Sequence, residues 1–500
     1  MNKKILGLVG GCILVAGLSA AVVVVSRQQA ADESSSEAEI SLSANDTDPA
    51  DLVLSSQTAD NVSSIEVKNS TGSYTIVRTA KADEEAGTAV TFGVKGFEDI
   101  PTNTALTSTL ANNIAGLSAS SVVLENCTDM NKYGLGDDAA KGVLHFDDGS
   151  SFAFRVGNSV SDGENNYFAV EGDDTVYAVK TSLIANYQNK AESFLSLVML
   201  KAPAEDEYPI VNYLTIKRED MDYDIVLSYA QDANNENTGG TAATHEMISP
   251  IPAYLSVERS NDIITGMFGA SASKILKIYP EKADLAKYGL DDKPFGTVIM
   301  ECDDENTYTL NIGKKYVETD KETGVSSSYY PVMLEGVDAV YAMSADKCLW
   351  ATAEPTDLAS SLVLTTFVWD ISRLSLEAEG QEKMDFTIEG DDKENAKVTL
   401  NGKSADSERY RKFYSFLLQT TAEGTAIGEE PSGKPEAVLN FETKNGKKKQ
   451  EIAFYRQDSY TCLITIDGLS CFKCRASFID TLKENMKLFD TDKDFIQTWS

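Results

Sequence analysis

An internal repeat constrains the fold of this chain of 500 residues more than any other feature. Two Tyr-Gly-Leu segments, Tyr133–Leu135 and Tyr288–Leu290, stand 155 residues apart. Each is followed by an acidic turn and an alternating apolar pattern, GVLHFDDGSSFAFRVG ending at Gly157 and VIMECDDENTYTLNIG ending at Gly313. The two patterns align without a gap and predict a strand, an Asp-rich turn and a second strand. The chain is therefore predicted to be a tandem array of similar units.

A second hairpin and a third, diverged copy extend the repeat. The segments 166–179 and 328–343 predict a further hairpin in each copy, with Tyr177 and Tyr341 in equivalent places. The third copy contains a first hairpin in 438–455 and a second hairpin with a closing helix in 460–482. It has EPSGKP, from Glu430 to Pro435, where the other copies have Tyr-Gly-Leu.

Each copy opens with an alternating apolar pattern, at 63–78, 212–229 and 372–390, and helical stretches follow, for example at 104–117 and 407–421. The unit is predicted to contain a hairpin, a helix, the signature loop, two more hairpins and a short helix. This order predicts an α+β fold with mostly antiparallel sheets. The predicted repeats are residues 56–202, 203–358 and, in diverged form, 359–492.

An uncharged run of 21 residues, from Ile5 to Val25, follows Lys3 and Lys4. As a helix it would span ~31 Å, which matches the hydrocarbon core of a bilayer. The positive-inside rule places the N-terminus in the cytoplasm and the rest of the chain outside. Residues 1–27 are therefore predicted to be a cytoplasmic tip and a transmembrane signal anchor, and residues 28–55 an acidic, Ser-rich linker.

Two other interpretations of the N-terminal run stay open. Cleavage after Ala21 would make it a signal peptide, although Val22–Val25 would then form an apolar new terminus. A lipoprotein would use Cys12, but a long apolar run follows that cysteine. The uncleaved anchor accounts best for the length of the run, and it predicts a single-pass protein of the cell membrane with an extracytoplasmic bulk.

The charge and the composition argue against a nucleic-acid partner and against a His-rich metal centre. The formal net charge is −34, and the chain beyond Arg27 carries 41 basic and 78 acidic side chains, a charge of −37. Such a surface repels phosphate backbones, which argues against a nucleic-acid partner. The two histidines are too few for a His-rich metal centre.

The Tyr-Gly-Leu element has a mechanical explanation. Pro280 and Glu281 can start a helix, and Gly289 then stands just past its end, where a left-handed conformation satisfies the last carbonyls. Leu290 supplies the apolar contact that accompanies such a helix end. We therefore predict a helix stop and not a ligand site.

The Tyr-Gly-Leu-Asp-Asp-x-Pro element at 288–294, the strand–turn–strand unit ending in Ile312-Gly313, the Tyr-x-Val and Val-Tyr-Ala patterns and the N-terminal anchor resemble the domain of unknown function 4340 (DUF4340) family. The resemblance covers residues 60–350 well and 365–490 loosely. It implies an extracytoplasmic, membrane-tethered protein, of a kind often encoded with ABC-type export systems. The implied role is an accessory one, and the resemblance supplies no catalytic residues.

The cysteines predict no redox site. Cys471 and Cys474 form a Cys-x-x-Cys motif, but redox pairs of this kind require a helix N-terminus. Their overlay on Val176 and Val179 predicts instead a strand whose two thiols point to opposite faces, as core residues. The seven scattered cysteines form no disulfide framework, although one bridge from Cys462 to a strand neighbour stays open. Cys302 overlays Phe146, an apolar position.

The remaining candidate site residues are also predicted to have no catalytic or metal-binding role. His145 lies in a predicted strand and His245 in a polar insertion, so each is predicted to be structural or solvated. The acidic run Asp490–Asp494 mimics the start of a calcium loop, but Phe495 occupies the required glycine position. Lys447–Lys449 is predicted to be a solvated hairpin tip. No catalytic, cofactor-binding or metal-binding residue is therefore predicted, and no cofactor.

The sequence thus favours a non-enzymatic, membrane-tethered accessory or scaffold protein, associated with an ABC transporter permease and ATPase. The alternative is an extracytoplasmic binding module for a small molecule, a glycan or a cell-wall polymer. An enzyme ranks third.

Overall fold

The computed structural model describes residues 52–83, 85, 87–230 and 244–499. In this part of the chain, three antiparallel sheets of eight, ten and nine strands follow one another. This arrangement confirms the α+β class with mostly antiparallel sheets and is consistent with three repeats. The predicted anchor and most of the predicted linker lie outside the described residues. Among the helices that are described, none combines the length and the apolar character needed to cross a membrane.

The first sheet has the strand order β3-β2-β1-β5-β6-β7-β8-β4. The hairpins predicted at 63–78, 142–157 and 166–179 are all formed. Strand β4 was not predicted; it comes from the segment between helix and signature and pairs with β8 at the sheet edge. The elements are β1 (Val62–Asn69), β2 (Gly72–Ala80), β3 (Thr91–Val94), α1 (Thr104–Ala115), β4 (Ser121–Leu124), β5 (Ala140–Phe146), β6 (Ser151–Ser159), β7 (Asn165–Val170), β8 (Val176–Lys180) and α2 (Thr181–Ile184).

The second sheet repeats this order with two additions. Its path is β12-β11-β10-β9-β14-β15-β17-β18-β13, and β16 pairs with β17 beside that path. The elements are β9 (Val211–Arg218), β10 (Ile225–Tyr229), β11 (His245–Ser249), β12 (Ala253–Tyr254), α3 (Val257–Thr265), β13 (Lys274–Ile278), α4 (Lys282–Tyr288), β14 (Gly296–Cys302), β15 (Thr307–Ile312), β16 (Tyr316–Thr319), β17 (Ser326–Leu334), β18 (Ala339–Ser344) and α5 (Pro355–Leu358).

The third sheet has the order β22-β21-β20-β19-β24-β25-β26-β27-β23. Its edge strand β23 has two residues, whereas β13 in the second sheet has five. The elements are β19 (Ile371–Ala378), β20 (Met384–Glu389), β21 (Lys397–Leu400), β22 (Lys403–Ala405), α6 (Ser407–Leu417), β23 (Gly424–Thr425), β24 (Ala437–Thr443), β25 (Lys449–Arg456), β26 (Thr461–Ile466), β27 (Leu469–Arg475) and α7 (Ser477–Leu488).

The strand registers confirm the equivalence of the copies. Tyr177 pairs with Phe168 in the first sheet, and Tyr341 pairs with Val332 in the second. Phe472 takes the same place in the third sheet, opposite Ile464. The gap-free overlay of 471–479 on 176–184 therefore holds at the level of strand pairing.

Each repeat packs a helix against its sheet, as the spacing of apolar residues in the third repeat illustrates. On α6 four buried side chains fall at intervals of three and four residues, which places them on one helix face, and a fifth lies beside them. They are Tyr410, Phe413, Tyr414 and Leu417, with Phe416 as the fifth. Because five large side chains are buried, the helix is held by packing more than by intrinsic propensity.

Side-chain clamps tie the first strand of a repeat to its last segment. At the end of β1, the Asn69 amide donates to the carbonyls of Tyr187 and Asn189, at 2.9 and 2.7 Å. At the corresponding place on β9, Arg218 donates to the Ala353 carbonyl at 2.7 Å and pairs with Glu354. The Arg218 side chain is 2% exposed. Its burial is therefore explained by closure of the repeat.

Two short segments, which we call the first strap (195–200) and the second strap (359–364), join successive repeats. The first strap bridges Leu195 to Thr102 of the first repeat and Val198 to Ser271 of the second. The second strap bridges Ala359 to Leu255 and Leu362 to Thr421 in the same way. The two junctions therefore use the same main-chain connection.

Candidate functional site

The signature residues form the helix stop that the sequence predicts. Helix α4 ends at Tyr288, and Gly289 follows with φ of +65°. Its N–H donates to the carbonyls of Leu285 and Ala286, and Leu290 is buried. At the other end, Glu281 and Asp284 form a reciprocal capping box. The helix thus begins just after Pro280-Glu281 and is closed at both ends by its own residues.

A second glycine explains the Ile-Gly end of the following hairpin. A Cβ on Gly313 would lie 2.1 Å from the Tyr288 carbonyl oxygen, and one on Gly157 would lie 2.4 Å from that of Tyr133. Only glycine lets the main chain approach the signature this closely. The strand registers place Tyr455 at the corresponding position of the third repeat. The signature and its partner glycine are therefore both replaced in the same copy.

The signature helix supports the edge strand β13. The Tyr288 hydroxyl donates to the Leu276 carbonyl at 3.4 Å, and Lys277 lies 3.1 Å from Asp284. The hydrogen bond from the Glu281 N–H lowers the pKa of Asp284 most, and the bond to Lys277 lowers it further. The carboxylate is thus held in its charged form. The signature therefore stabilises a strand at the edge of the sheet.

That edge strand lines a large groove at the junction of the first two repeats, which we call the first groove. Its volume is about 1320 Å³. One side is the start of α1 with the loop before it, at 101–105, and the other is 273–278, which includes β13. Residues of the first strap also line it. Tyr279 stacks on Phe97 and donates to the Gly96 carbonyl at 2.8 Å, a further contact between the two repeats.

The first groove is basic in an acidic protein. Its charged lining residues are four lysines and one glutamate, a net formal charge of +3. Two of the lysines are already engaged: Lys274 pairs with Glu318 and Lys277 with Asp284. The other two, Lys190 and Lys201, are exposed, and within the described residues neither forms an ion pair. The groove therefore has positive charge available for a partner.

The corresponding place between the second and third repeats, the second groove, is smaller. It has a volume of about 560 Å³ and is lined by residues around the start of α3, the second strap and β23. The Thr356 and Thr425 hydroxyls are 2.7 Å apart and link its two sides. In the first groove the corresponding positions hold Glu192 and Ile275. The charged lining residues of the second groove are Glu258, Arg259 and Glu423.

The candidate redox cysteines lie where the overlay places them. Cys471 and Cys474 are in β27 and are 0% and 4% exposed. Burial raises the pKa of Cys471 to about 12 and that of Cys302 to about 11. Thiols held in the neutral form are poor nucleophiles. The prediction of core thiols is confirmed for all three.

The strand neighbour of Cys462 is Cys474. The two residues are direct cross-strand partners between β26 and β27. A hydrogen bond with Cys462, together with burial, raises the pKa of Cys474. Both thiols are free in the structure.

The two histidines and the acidic run differ in burial and in partners. His245 is buried, 2.6 Å from the Val211 carbonyl oxygen, and burial lowers its pKa. His145 lies in β5, 3.3 Å from Glu66. The residues Asp490–Asp494 are exposed, and Phe495 packs into the core beneath the Arg409 guanidinium. Across the described ranges, no group of three or more His, Cys, Asp or Glu side chains is placed to hold a metal.

The prediction that Lys447–Lys449 form a solvated hairpin tip is wrong for one of the three lysines. Lys447 and Lys449 are exposed, but Lys448 is half-buried. Its ammonium donates to the Tyr254 hydroxyl at 2.6 Å and lies 3.8 Å from Glu246, so it contacts the second repeat. A single sequence shows no reason for that contact, because Tyr254 is 194 residues away.

The groove could not be predicted from the amino-acid sequence. Its walls come from segments far apart in the chain, and its lysines are scattered singly in an acidic sequence. The sequence offers only a weak signal: Lys274–Ile278 combines two lysines, which are common on edge strands, with apolar residues, but the lysines are three residues apart and do not follow the two-residue period of a strand.

The fold defines this protein as a tandem array of α+β repeats that share one antiparallel strand order and are joined by straps. A family model described as domain of unknown function (DUF4340) matches residues 94–228 and 257–438, together more than half of the chain. The chain belongs to this family, as the resemblance implied. Both matched regions include a strap and part of the following repeat. No curated protein and no solved structure was found to match.

Proposed function

We propose that this chain is a membrane-tethered, extracytoplasmic protein without enzymatic activity that serves as a scaffold or accessory subunit of a membrane complex, in particular an ABC-type transport system. The observation that carries the proposal is the open groove of about 1320 Å³ between two repeats. It exceeds the ~300–1,000 Å³ of ordinary small-molecule sites. A surface of that size suits a polypeptide partner.

The N-terminal run supports the tethering. Ile5–Val25 has the length of a membrane helix and two lysines before it, which favours a cytoplasmic N-terminus. Membership of the family supports the same arrangement, because the family resemblance implies extracytoplasmic proteins encoded with ABC-type exporters.

The chemistry of the described residues supports a non-enzymatic role. The thiols with a raised pKa are buried, and His245 is held by main-chain and side-chain partners inside the fold. The signature residues are used to close a helix and to support a strand. The residues that the family pattern marks therefore build structure.

Co-purification tests the proposal. The full-length chain with a C-terminal affinity tag is extracted in a mild detergent, and bound proteins are identified by mass spectrometry. We expect an ATPase and a permease to be recovered. The matched control carries a cleavable signal peptide in place of residues 1–27, and we expect it to lose the complex or to bind it more weakly. Consistent absence of both transporter components from the full-length sample would contradict the proposal.

The location is tested separately with a reporter enzyme that is active only outside the cytoplasm, fused after residue 500. Activity is expected with the intact anchor. A silent reporter, together with a fluorescent cytoplasmic reporter at the same position, would overturn the extracytoplasmic assignment.

A second candidate function is a binding module for a small molecule, a glycan or a cell-wall polymer, and the volume of the same groove favours a polymer over a small molecule. Thermal-shift measurements with sugars, peptides and calcium distinguish the two functions. A rise in melting temperature with a sugar, and none with a peptide, would favour the binding module.

A further inference from the structure

We propose that the free edge of β13, inside the first groove, binds an extended acidic segment of a partner protein by strand addition. This inference rests on the proposed function and names the chemistry of the partner. It is carried by three observations in the same place: an unpaired sheet edge, a surplus of lysines and a groove that is open.

The edge is available to a strand. Strand β13 lies at the end of its sheet, and in the described strand order its neighbour is β18 alone. In such a strand about half of the main-chain N–H and C=O groups point away from the sheet and can pair with another chain. All five residues of β13 are half-buried, and all five line the groove. A segment of about five residues, ~17 Å long, would match it.

The strand is held ready for such pairing. An irregularity in its pairing with β18, between Ile275 and Lys277, weakens the hold of the sheet on the strand at that point. Tyr288 and Asp284 of the signature helix bond to Leu276 and Lys277 at this point. A supported edge loses little conformational freedom on binding, which favours affinity.

Charge selects an acidic partner. Lys190 and Lys201 both line the groove, and along the chain they stand before and after the first strap. Alternate side chains of an added strand point to the same face, so acidic residues at every second position could meet these lysines. The rest of the protein, with its large negative charge, repels such a segment and directs it to the groove.

Apolar contacts are also available. Leu197 of the first strap lines the groove and is 38% exposed, and Ile275 and Ile278 of β13 line it and are half-buried. The apolar residues of an alternating segment would contact such side chains. The proposed ligand is therefore an alternating acidic and apolar strand.

The second groove offers a natural negative control. Its edge strand has two residues, its sides are joined through Thr356 and Thr425, and its charged lining residues are two glutamates and one arginine. The proposal therefore predicts binding at the first junction and none at the second.

The test is a binding measurement with a defined probe. The full-length protein in detergent is titrated at low ionic strength with a fluorescent peptide of about eight residues that alternates Val and Glu. Two control peptides separate charge from strand addition. One alternates Glu and Pro, which keeps the charge but removes every second N–H; the other alternates Val and Lys. We expect binding of the Val-Glu peptide only.

The variant Lys190→Glu/Lys201→Glu tests the site. Both side chains are exposed, so the fold is expected to tolerate the change. We expect affinity for the Val-Glu peptide to fall about tenfold or more. The matched control, Lys403→Glu/Lys434→Glu, makes the same change of net charge at exposed lysines of the third repeat and is expected to stay within twofold of the parent.

Equal weakening by both double variants would show general electrostatics and overturn the proposal. Equal binding of the Glu-Pro peptide would overturn strand addition, and so would no binding of the Val-Glu peptide. In either case, recovery of the transporter components with the full-length chain would leave the proposed function standing. Loss of the components with intact peptide binding would refute the proposed function and not the site.

Discussion

The second and third repeats share one strand order but differ at two connected places. The second repeat keeps the signature helix, the partner glycine and a five-residue edge strand beside an open groove. The third repeat has EPSGKP, Tyr455 and a two-residue edge strand beside a smaller groove whose sides are linked by two threonines. The difference teaches that the signature and the open groove belong together, because the signature helix holds β13 in place.

The largest expected effect comes from the glycine that fits against the signature. In Gly313→Ala the new Cβ would meet the Tyr288 carbonyl oxygen at 2.1 Å. We expect the free energy of unfolding to fall by about 3 kcal/mol, measured by urea denaturation of the purified protein. Gly296→Ala in the same sheet is the control, since its Cβ would find its nearest atom at 3.4 Å. Equal stability of the two variants would break the link between glycine and signature.

A smaller effect is expected at the contact between the first two repeats. Tyr279→Ala removes the stacking on Phe97 and the hydrogen bond to the Gly96 carbonyl. We expect a loss of about 2 kcal/mol in the same denaturation assay, and Tyr279→Phe should lose about half of that. A Tyr279→Phe variant as unstable as Tyr279→Ala would show that stacking contributes nothing.

The closure of the second groove is testable by removing one hydroxyl. Thr356→Val keeps the side-chain volume and removes the hydrogen bond to Thr425. We therefore expect the free energy of unfolding, measured by urea denaturation, to fall by about 1 kcal/mol. The reciprocal change, Glu192→Thr/Ile275→Thr, places two threonines at the corresponding positions of the first groove. It should abolish binding of the Val-Glu peptide. Unchanged peptide affinity in that variant would contradict the role of groove closure.

The smallest effect on stability is expected from Tyr288→Phe. It removes the 3.4 Å hydrogen bond to the Leu276 carbonyl, and we expect the free energy of unfolding to fall by about 0.5 kcal/mol. The local effect should be larger: amide hydrogen exchange of residues 274–278 should speed up while that of β14 stays the same. If residues 274–278 exchange at the same rate in Tyr288→Phe as in the parent protein, the signature helix does not support β13.

The sequence predicted most of the secondary structure because the repeat aligned three copies of the same hairpins. The helix stop at Gly289 and the buried places of Cys302, Cys471 and Cys474 followed from that alignment and from general rules of helix ends. The edge strands β4, β13 and β23 were missed, since each is short and pairs with a strand far away in sequence.

The candidate site could not be predicted from the sequence for a related reason. The first groove lies where the first strap joins two repeats through two isolated bridges, and isolated bridges leave no periodic pattern in the sequence. The importance of Lys190 and Lys201 depends on which lysines lack an acidic neighbour in space. The contact of Lys448 with Tyr254 likewise joins residues that no local pattern connects.

Hydrogen exchange with bound peptide tests the central claim most directly. The full-length protein is exposed to deuterated buffer with and without a saturating Val-Glu peptide, and the exchange of residues 273–278 is compared with that of residues 423–426. We predict protection of the first segment and none of the second. Protection of both segments, or of neither, would contradict the claim that the first junction is the one built to accept a partner strand.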